Sequence, residues 1–249
     1  MELGASFPNG ADGEPLERTA ARDLVHRAMQ RAIVRGDVEP GSVISVQEVA
    51  NQYHVSRMPV REAIGVLVSD GLARRAINGR VLVAPISVRD ASELYAVRIA
   101  LEELALDEAV THVDDSALSW LKTRLTQARA DEHDVRTAEA GREFHEAIIR
   151  LSGNATLISI LGVLGVRIDR YRYFSTRFGN GRPAAAGQEH RAVYDALAAR
   201  DWQQARVAWH AHLSAARTSV VGALAALGYD SPPAGAARDG VQPTAGESR

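Results

Sequence analysis

The chain of 249 residues contains no cysteine. Disulfides, thiolate metal sites and thiol nucleophiles are therefore excluded, and a reducing compartment fits. It also lacks any apolar run close to the roughly 20 residues needed to cross a bilayer. Residues 1–15 are acidic and carry Gly and Pro, not a basic start followed by an apolar core, so no secretory signal is read there. Lysine is almost missing: Lys122 stands alone, and the remaining basic side chains are arginines. We attribute that to composition rather than to a special role. The net charge is −2, so the molecule as a whole is no generic polyanion binder. These exclusions imply a cytoplasmic protein, without a membrane partner, of one large or two ordinary domains.

What is present is an uneven placement of charge. Between Ser56 and Arg80 there are five arginines (57, 61, 74, 75, 80) against Glu62 and Asp70, a local balance of +3. Arg57 and Arg61 are four apart and share one helical face. Val60, Ile64 and Leu67 form an apolar stripe on another face. Ser56 suits an N-cap, and Pro59 falls in the first turn, where a missing N–H costs nothing. A short helix over 44–53 precedes this segment, with Ile44, Val49 and Ala50 as its apolar positions, and His54-Val55 turns the chain between the two. Asp70-Gly71 reads as a helix stop. Strands over 72–76 and 81–84 flank Asn78-Gly79, a strong short hairpin signal, and Pro85 closes the unit. Helix, turn, helix and hairpin make a winged helix-turn-helix. Forked arginines on its second helix suit the major groove of DNA.

The rest of the chain is helical in pattern, without a convincing strand. Candidate helices cover 88–111, 116–132, 135–152, 156–178, 183–199 and 202–227. Val113-Asp114-Asp115, His133-Asp134, Gly153-Asn154, Gly179-Asn180-Gly181 and Arg200-Asp201 supply the breaks. The fold class is therefore mainly α: an N-terminal winged helix-turn-helix with a small β-hairpin wing, then a C-terminal all-α six-helix bundle. The implied organisation is a disordered segment 1–15, a DNA-binding domain 16–86, an all-α effector-binding and dimerisation domain 87–229, and a flexible tail 230–249.

Several motifs in fixed order carry a family resemblance. Residues 17–85 resemble the DNA-binding domain of the GntR family of bacterial transcription regulators. The matching pieces are Ile33-Val34-Arg35-Gly36-Asp37-Val38-Glu39-Pro40-Gly41, Glu48-Val49-Ala50, the run Val55 to Ala63, Asp70-Gly71-Leu72, and Val83-Ala84-Pro85. The second half resembles the helical ligand-binding (FCD) domain of the FadR-type branch. There the matching pieces are Leu94 to Arg98 with Leu101-Glu102, Glu143-Phe144-His145, Ser152-Gly153-Asn154, Glu189 to Leu197, Asp201 with Ala205, and His212-Leu213.

For DNA, the candidate contacts are Gln47, Ser56, Arg57, Met58, Arg61, Asn78, Gly79 and Arg80. An arginine gripping guanine O6 and N7 is worth about 1–3 kcal/mol of discrimination. Two of these positions depart from the family: Gln47 stands where members often place Arg, and Arg80 where they usually have Gly. Arg80 is either solvated on a rebuilt turn or reaches the minor groove. A unit of this size touches one half-site, so a homodimer on double-stranded operator DNA bearing an inverted repeat is implied.

The resemblance also implies a divalent metal beside an effector. His145, His190 and His212 match the family's metal-binding histidines, and neutral imidazoles suit Zn²⁺ or Ni²⁺. The family's acidic ligand one turn before the first histidine is missing, because Gly141 stands there. One ion per subunit would then need water, the effector, or a carboxylate such as Glu102 or Asp107. The alternative is three hydrogen-bonding histidines without metal. Arg98, Glu102, Arg167 and Tyr171 are candidate contacts for a small organic acid; ion pairing with Glu102 or Asp169 is the plainer role for the arginines. No catalytic residue is singled out. The function implied is a DNA-binding regulator, a repressor, controlled by a carboxylate effector. Its rivals are a metal-dependent enzyme built on the histidines and an architectural DNA-binding protein with an inert dimerisation domain.

Overall fold

The computed structural model describes residues 16–127, 135–178 and 182–230. The segment 1–15, the tail from 231 and the end of the helix expected over 116–132 lie outside them. Within the described residues the order is α1 (Leu16–Val34), α2 (Val46–Gln52), α3 (Arg57–Ser69), β1 (Ala73–Arg75), β2 (Val81–Val83), α4 (Val88–Ala109), α5 (Asp115–Gln127), α6 (Val135–Leu151), α7 (Ala155–Phe178), α8 (Pro183–Ala198) and α9 (Trp202–Ala226). A short 3₁₀ turn, Val110–His112, extends α4. Among the described residues the fold is mainly helical with one two-stranded sheet, as the sequence pattern implies. No described helix is long and apolar enough to cross a membrane.

Two compact units form. The first combines the chain up to Ala84 with Ala155–Phe174; the second combines Pro85–Asn154 with the chain from Ser175. The sequence places a single boundary at 86/87, whereas here most of α7 belongs with the winged helix. Local contacts explain this. Val166 packs against the core of the first unit, Arg167 covers Gly71, and Arg170 donates from Nη2 to the carbonyl of Ala84 at 2.7 Å.

The core of the first unit is the stripe read from the sequence. Val60, Ala63, Ile64 and Leu67 of α3 are buried with Val25, Met29 and Ile33 of α1, Ala50 of α2, and Leu72, Ala73 and Val83 of the wing. The polar face of α3 is thereby left outward. β1 and β2 pair antiparallel with Ala73 opposite Val83 and Arg75 opposite Val81. The turn differs from a two-residue Asn-Gly loop. Ala76 donates to the Arg80 carbonyl and Gly79 to that of Ala76, so Ile77-Asn78-Gly79 is a three-residue loop. Gly79 takes φ +77°, the left-handed position such loops require. The chain at 41–44 adds a further edge to β2 through Ile44 N–H to the Val81 carbonyl and Val83 N–H to that of Ser42.

The second unit packs α4, α5, α6, α8 and α9 around Leu106, Leu121, Phe144, Ile148, Val193, Leu197, Trp209 and Leu213. Its helix ends are capped locally. Ser87 accepts from Asp90 N–H, and Asp201 accepts from Gln204 N–H at 2.9 Å. Ser56 occupies the N-cap position of α3, but its side chain makes no cap hydrogen bond. The expected outcome separates the two caps: Asp201→Ala lowers stability by about 1 kcal/mol, while Ser56→Ala stays within about 0.5 kcal/mol. Chemical denaturation of the purified variants measures both.

Candidate metal centre and DNA-reading surface

Four helices of the second unit bring polar groups into its interior. Arg98 and Glu102 lie one turn apart on α4, His145 is on α6, His190 on α8 and His212 on α9. All five are buried, the three histidines at 6%, 4% and 3% exposure. Their Nε2 atoms form a near-equilateral triangle. His145 to His190 is 3.1 Å, His145 to His212 3.0 Å, and His190 to His212 3.1 Å. Among the described residues this is the one group of His and acidic side chains whose ligand atoms converge so closely.

The protonation of two of these rings follows from their other nitrogens. His145 Nδ1 donates to Glu102 Oε2 at 2.6 Å. His212 Nδ1 donates to Glu189 Oε2 at 2.7 Å. Both bonds put the proton on Nδ1 and leave Nε2 as a bare lone pair. The 3.0 Å contact between His145 and His212 therefore joins two acceptors, an arrangement that a cation between them relieves. Ligand nitrogens held by one ion at about 2.0–2.1 Å stand about 3.0–3.4 Å apart, which the triangle matches. The residues fit a divalent metal.

Glu102 anchors the arrangement. Its Oε1 accepts from Arg98 Nε at 2.6 Å, opposite the bond to His145. With Nδ1 committed to the carboxylate, the 3.1 Å approach of Arg98 Nη2 to His145 is packing between donors. Burial pushes the Glu102 carboxyl up, but the Arg98 charge and the His145 ring outweigh it and hold it down at about 2. Burial pushes His145 down to about 3, against the pull of Glu102. His212 is lowered by burial too, opposed by Glu189. Burial would raise Glu189, but its bonds to His212 and Arg182 bring it below the ordinary range. Trp209 closes the site, lying 4.6 Å from the His145 ring centre and 5.7 Å from that of His212. Its Nε1 donates to the Glu102 carbonyl at 3.1 Å.

Arg98, Glu102 and the three histidines thus come together as read from the sequence, and Arg98 has the ion-pair partner suggested for it. Asp107 does not join them; it pairs with Arg206 at the surface. Gly141 does face the cluster: a Cβ there would meet His190 Cε1 at 3.4 Å. Arg167 and Tyr171 fall in the first unit, Arg167 against Gly71. Asp169 pairs with Arg172 at 2.8 Å. Sequence reading missed Glu189 and Trp209. Trp209 sits one turn before His212, a spacing that could have found it. Glu189 gave no signal, because it adjoins His190 in sequence yet serves His212.

The DNA-reading candidates are placed alike. Gln47, Ser56, Arg57, Met58, Arg61, Asn78, Gly79 and Arg80 are all exposed. Gln47 donates to Asn51 along α2 at 2.7 Å.

Comparison with known proteins gives these surfaces a context. Residues 21–83 match the bacterial regulatory proteins of the gntR family, and residues 93–215 match the FCD domain. The HTH-type transcriptional regulator BphR of Paraburkholderia xenovorans (strain LB400) is 31% identical over 204 residues, 77% of this chain and 82% of that protein. The chain belongs to the GntR family. It is an FCD-containing, DNA-binding transcription regulator, and the family is one of regulators, not enzymes, which sets aside the enzymatic alternative. The HTH-type transcriptional repressor RspR of Escherichia coli (strain K12) is 26% identical over 199 residues, 79% of this chain and 87% of RspR. The solved structure of E. coli McbR/YncC superposes with a TM-score of 0.69 at 21% identity, covering 81% of this chain and 97% of that one; it shows the fold.

The lowered His145 predicts how this GntR regulator responds to acid. Unfolded, the ring binds a proton below its ordinary value of 6.5; folded, it stays neutral to about 3. The unfolded chain takes up more protons, so stability rises with pH. This contribution is complete above pH 6.5 and is lost as pH falls from there toward 3. The melting temperature of the metal-free protein should therefore drop between pH 7 and 5, and His145→Asn should flatten that slope. Circular dichroism melts across the range check it.

Proposed function

We propose that this regulator is a repressor whose operator binding is controlled by a small carboxylate effector bound beside a divalent metal, Zn²⁺ or Ni²⁺, in the FCD half. The observation that carries the reading is the Nε2 triangle of His145, His190 and His212, with two of its tautomers fixed by carboxylates. His145, His190 and His212 would hold the ion. It would supply a fixed positive charge able to take a carboxylate oxygen as ligand. The charge balance favours an anion: Arg98 and Glu102 cancel and burial holds His145 and His212 neutral, so a divalent ion adds positive charge to the pocket. Gly141 in place of an acidic ligand leaves one more position to water or effector. Glu102 positions His145, and Arg98 steers the acid.

In the first unit, Arg57 and Arg61 at the start of α3 read base edges. Gln47, Ser56, Met58 and the wing residues Asn78, Gly79 and Arg80 contact backbone or groove. A homodimer on an inverted repeat doubles these contacts. Effector binding couples to DNA by favouring one of two states of the protein.

Two experiments test this. Metal analysis of the purified protein should find about one ion per subunit, lost in His145→Ala and His212→Ala. A metal-free protein whose Trp209 fluorescence ignores added Ni²⁺ would remove the site. In DNA binding, Arg57→Ala should cost about 1–3 kcal/mol and relax sequence preference, whereas a wing phosphate contact at Arg80 should show in Arg80→Ala as a salt slope smaller by about 1. Small organic acids should release operator DNA from the metal-loaded protein and not from Arg98→Gln.

A further inference from the structure

The wing tip carries a side chain that no DNA-reading role yet uses. Ile77 is 98% exposed; the next most exposed large apolar side chain among the described residues, Leu24, reaches 61%. The hairpin does not require isoleucine there. Its loop is closed by the backbone bonds between Ala76, Gly79 and Arg80. Asn78 Oδ1 accepts from Arg80 N–H at 3.1 Å, and Gly79 supplies the positive φ. Turn preferences run to Gly, Pro, Asn, Asp and Ser, not to a β-branched apolar residue. Because the loop is tied on both sides, Ile77 is held out on a stiff tip.

The neighbouring charge indicates what it meets. Arg74, Arg75 and Arg80 are exposed and lie within three residues of it. No acidic residue occurs between Asp70 and Asp90. A duplex offers the complement, two rows of phosphates with apolar base faces between them. Branched apolar side chains flanked by basic ones can enter a minor-groove base step and kink it.

We infer that Ile77 is a minor-groove wedge that opens a base step while the wing arginines hold the flanking phosphates. The wing then reads how easily the duplex deforms. It favours a flexible pyrimidine–purine step at a fixed distance from the bases met by Arg57 and Arg61. This rests on the reading that α3 and the wing bind operator DNA.

The test uses the full-length protein and short duplexes that it selects from a random pool, labelled at both ends so that energy transfer reports bending. Ile77→Ala should bind the selected duplex about tenfold more weakly, leave it straighter, and keep the wild-type salt slope, because no charge is removed. Ile77→Leu should restore affinity and bend. Replacing the pyrimidine–purine step with an A-tract should weaken the wild type but not Ile77→Ala. If Ile77→Ala binds and bends the duplex as the wild type does, the wedge is overturned while operator binding stands. If the wild type selects no sequence, or Arg57→Ala binds as well as the wild type, the operator reading fails and the wedge with it.

Discussion

The carboxylate of Glu102 is the group on which the buried site depends. It is 2% exposed and divided between two partners, Arg98 on its own helix and His145 on another. An ionised carboxylate in such surroundings persists only when paired and hydrogen-bonded. Here the pairing does more than offset burial. The bond to His145 places that ring's proton on Nδ1, and this turns Nε2 toward His190 and His212 as an acceptor. Glu189 does the same for His212 from the rim of the site. Two carboxylates thus set the tautomers, and the tautomers set the chemistry. What results is an interior where three imidazole nitrogens converge, with the carboxylates of Glu102 and Glu189 engaged by His145 and His212. Such an arrangement has the ligand chemistry to hold a cation.

The DNA-reading surface obeys the opposite logic. Its polar side chains face water, and α3 is held rigid from behind by Val60, Ile64 and Leu67. Exposed arginines need no internal counter-charge, since solvent satisfies them. The site within the second unit must be complete before it can bind.

This contrast explains how much was legible in the sequence. The winged helix is built from local signals: a stripe at helical spacing, a stop at Asp70-Gly71 and a turn at Asn78-Gly79. Each is decided within a few residues, and each appears in the structure. The detail that differed is also local. The Ala76–Arg80 pairing extends the hairpin by one rung and moves Gly79 from the centre of a two-residue loop to the left-handed end of a three-residue one. The three histidines were legible by position, and Arg98 with Glu102 by their one-turn spacing. Glu189 was not, because it serves a histidine 23 residues away rather than its neighbour. The place of α7 was equally hidden. Its attachment to the winged helix depends on Gly71 and on the Ala84 carbonyl, neither of which carries a sequence pattern pointing to a distant helix.

By itself, the sequence determined that the chain is mainly helical, that a winged helix presents arginines, and that histidines recur on later helices. Those are matters of periodicity, capping and residue type, and nearest neighbours settle them. The tertiary structure decided which nitrogen of His145 and of His212 is bare, which acid holds each of those rings, and that most of α7 packs with the winged helix. These depend on distances across tens of residues, where burial and a hydrogen bond of a few ångströms outweigh anything the local chain can encode.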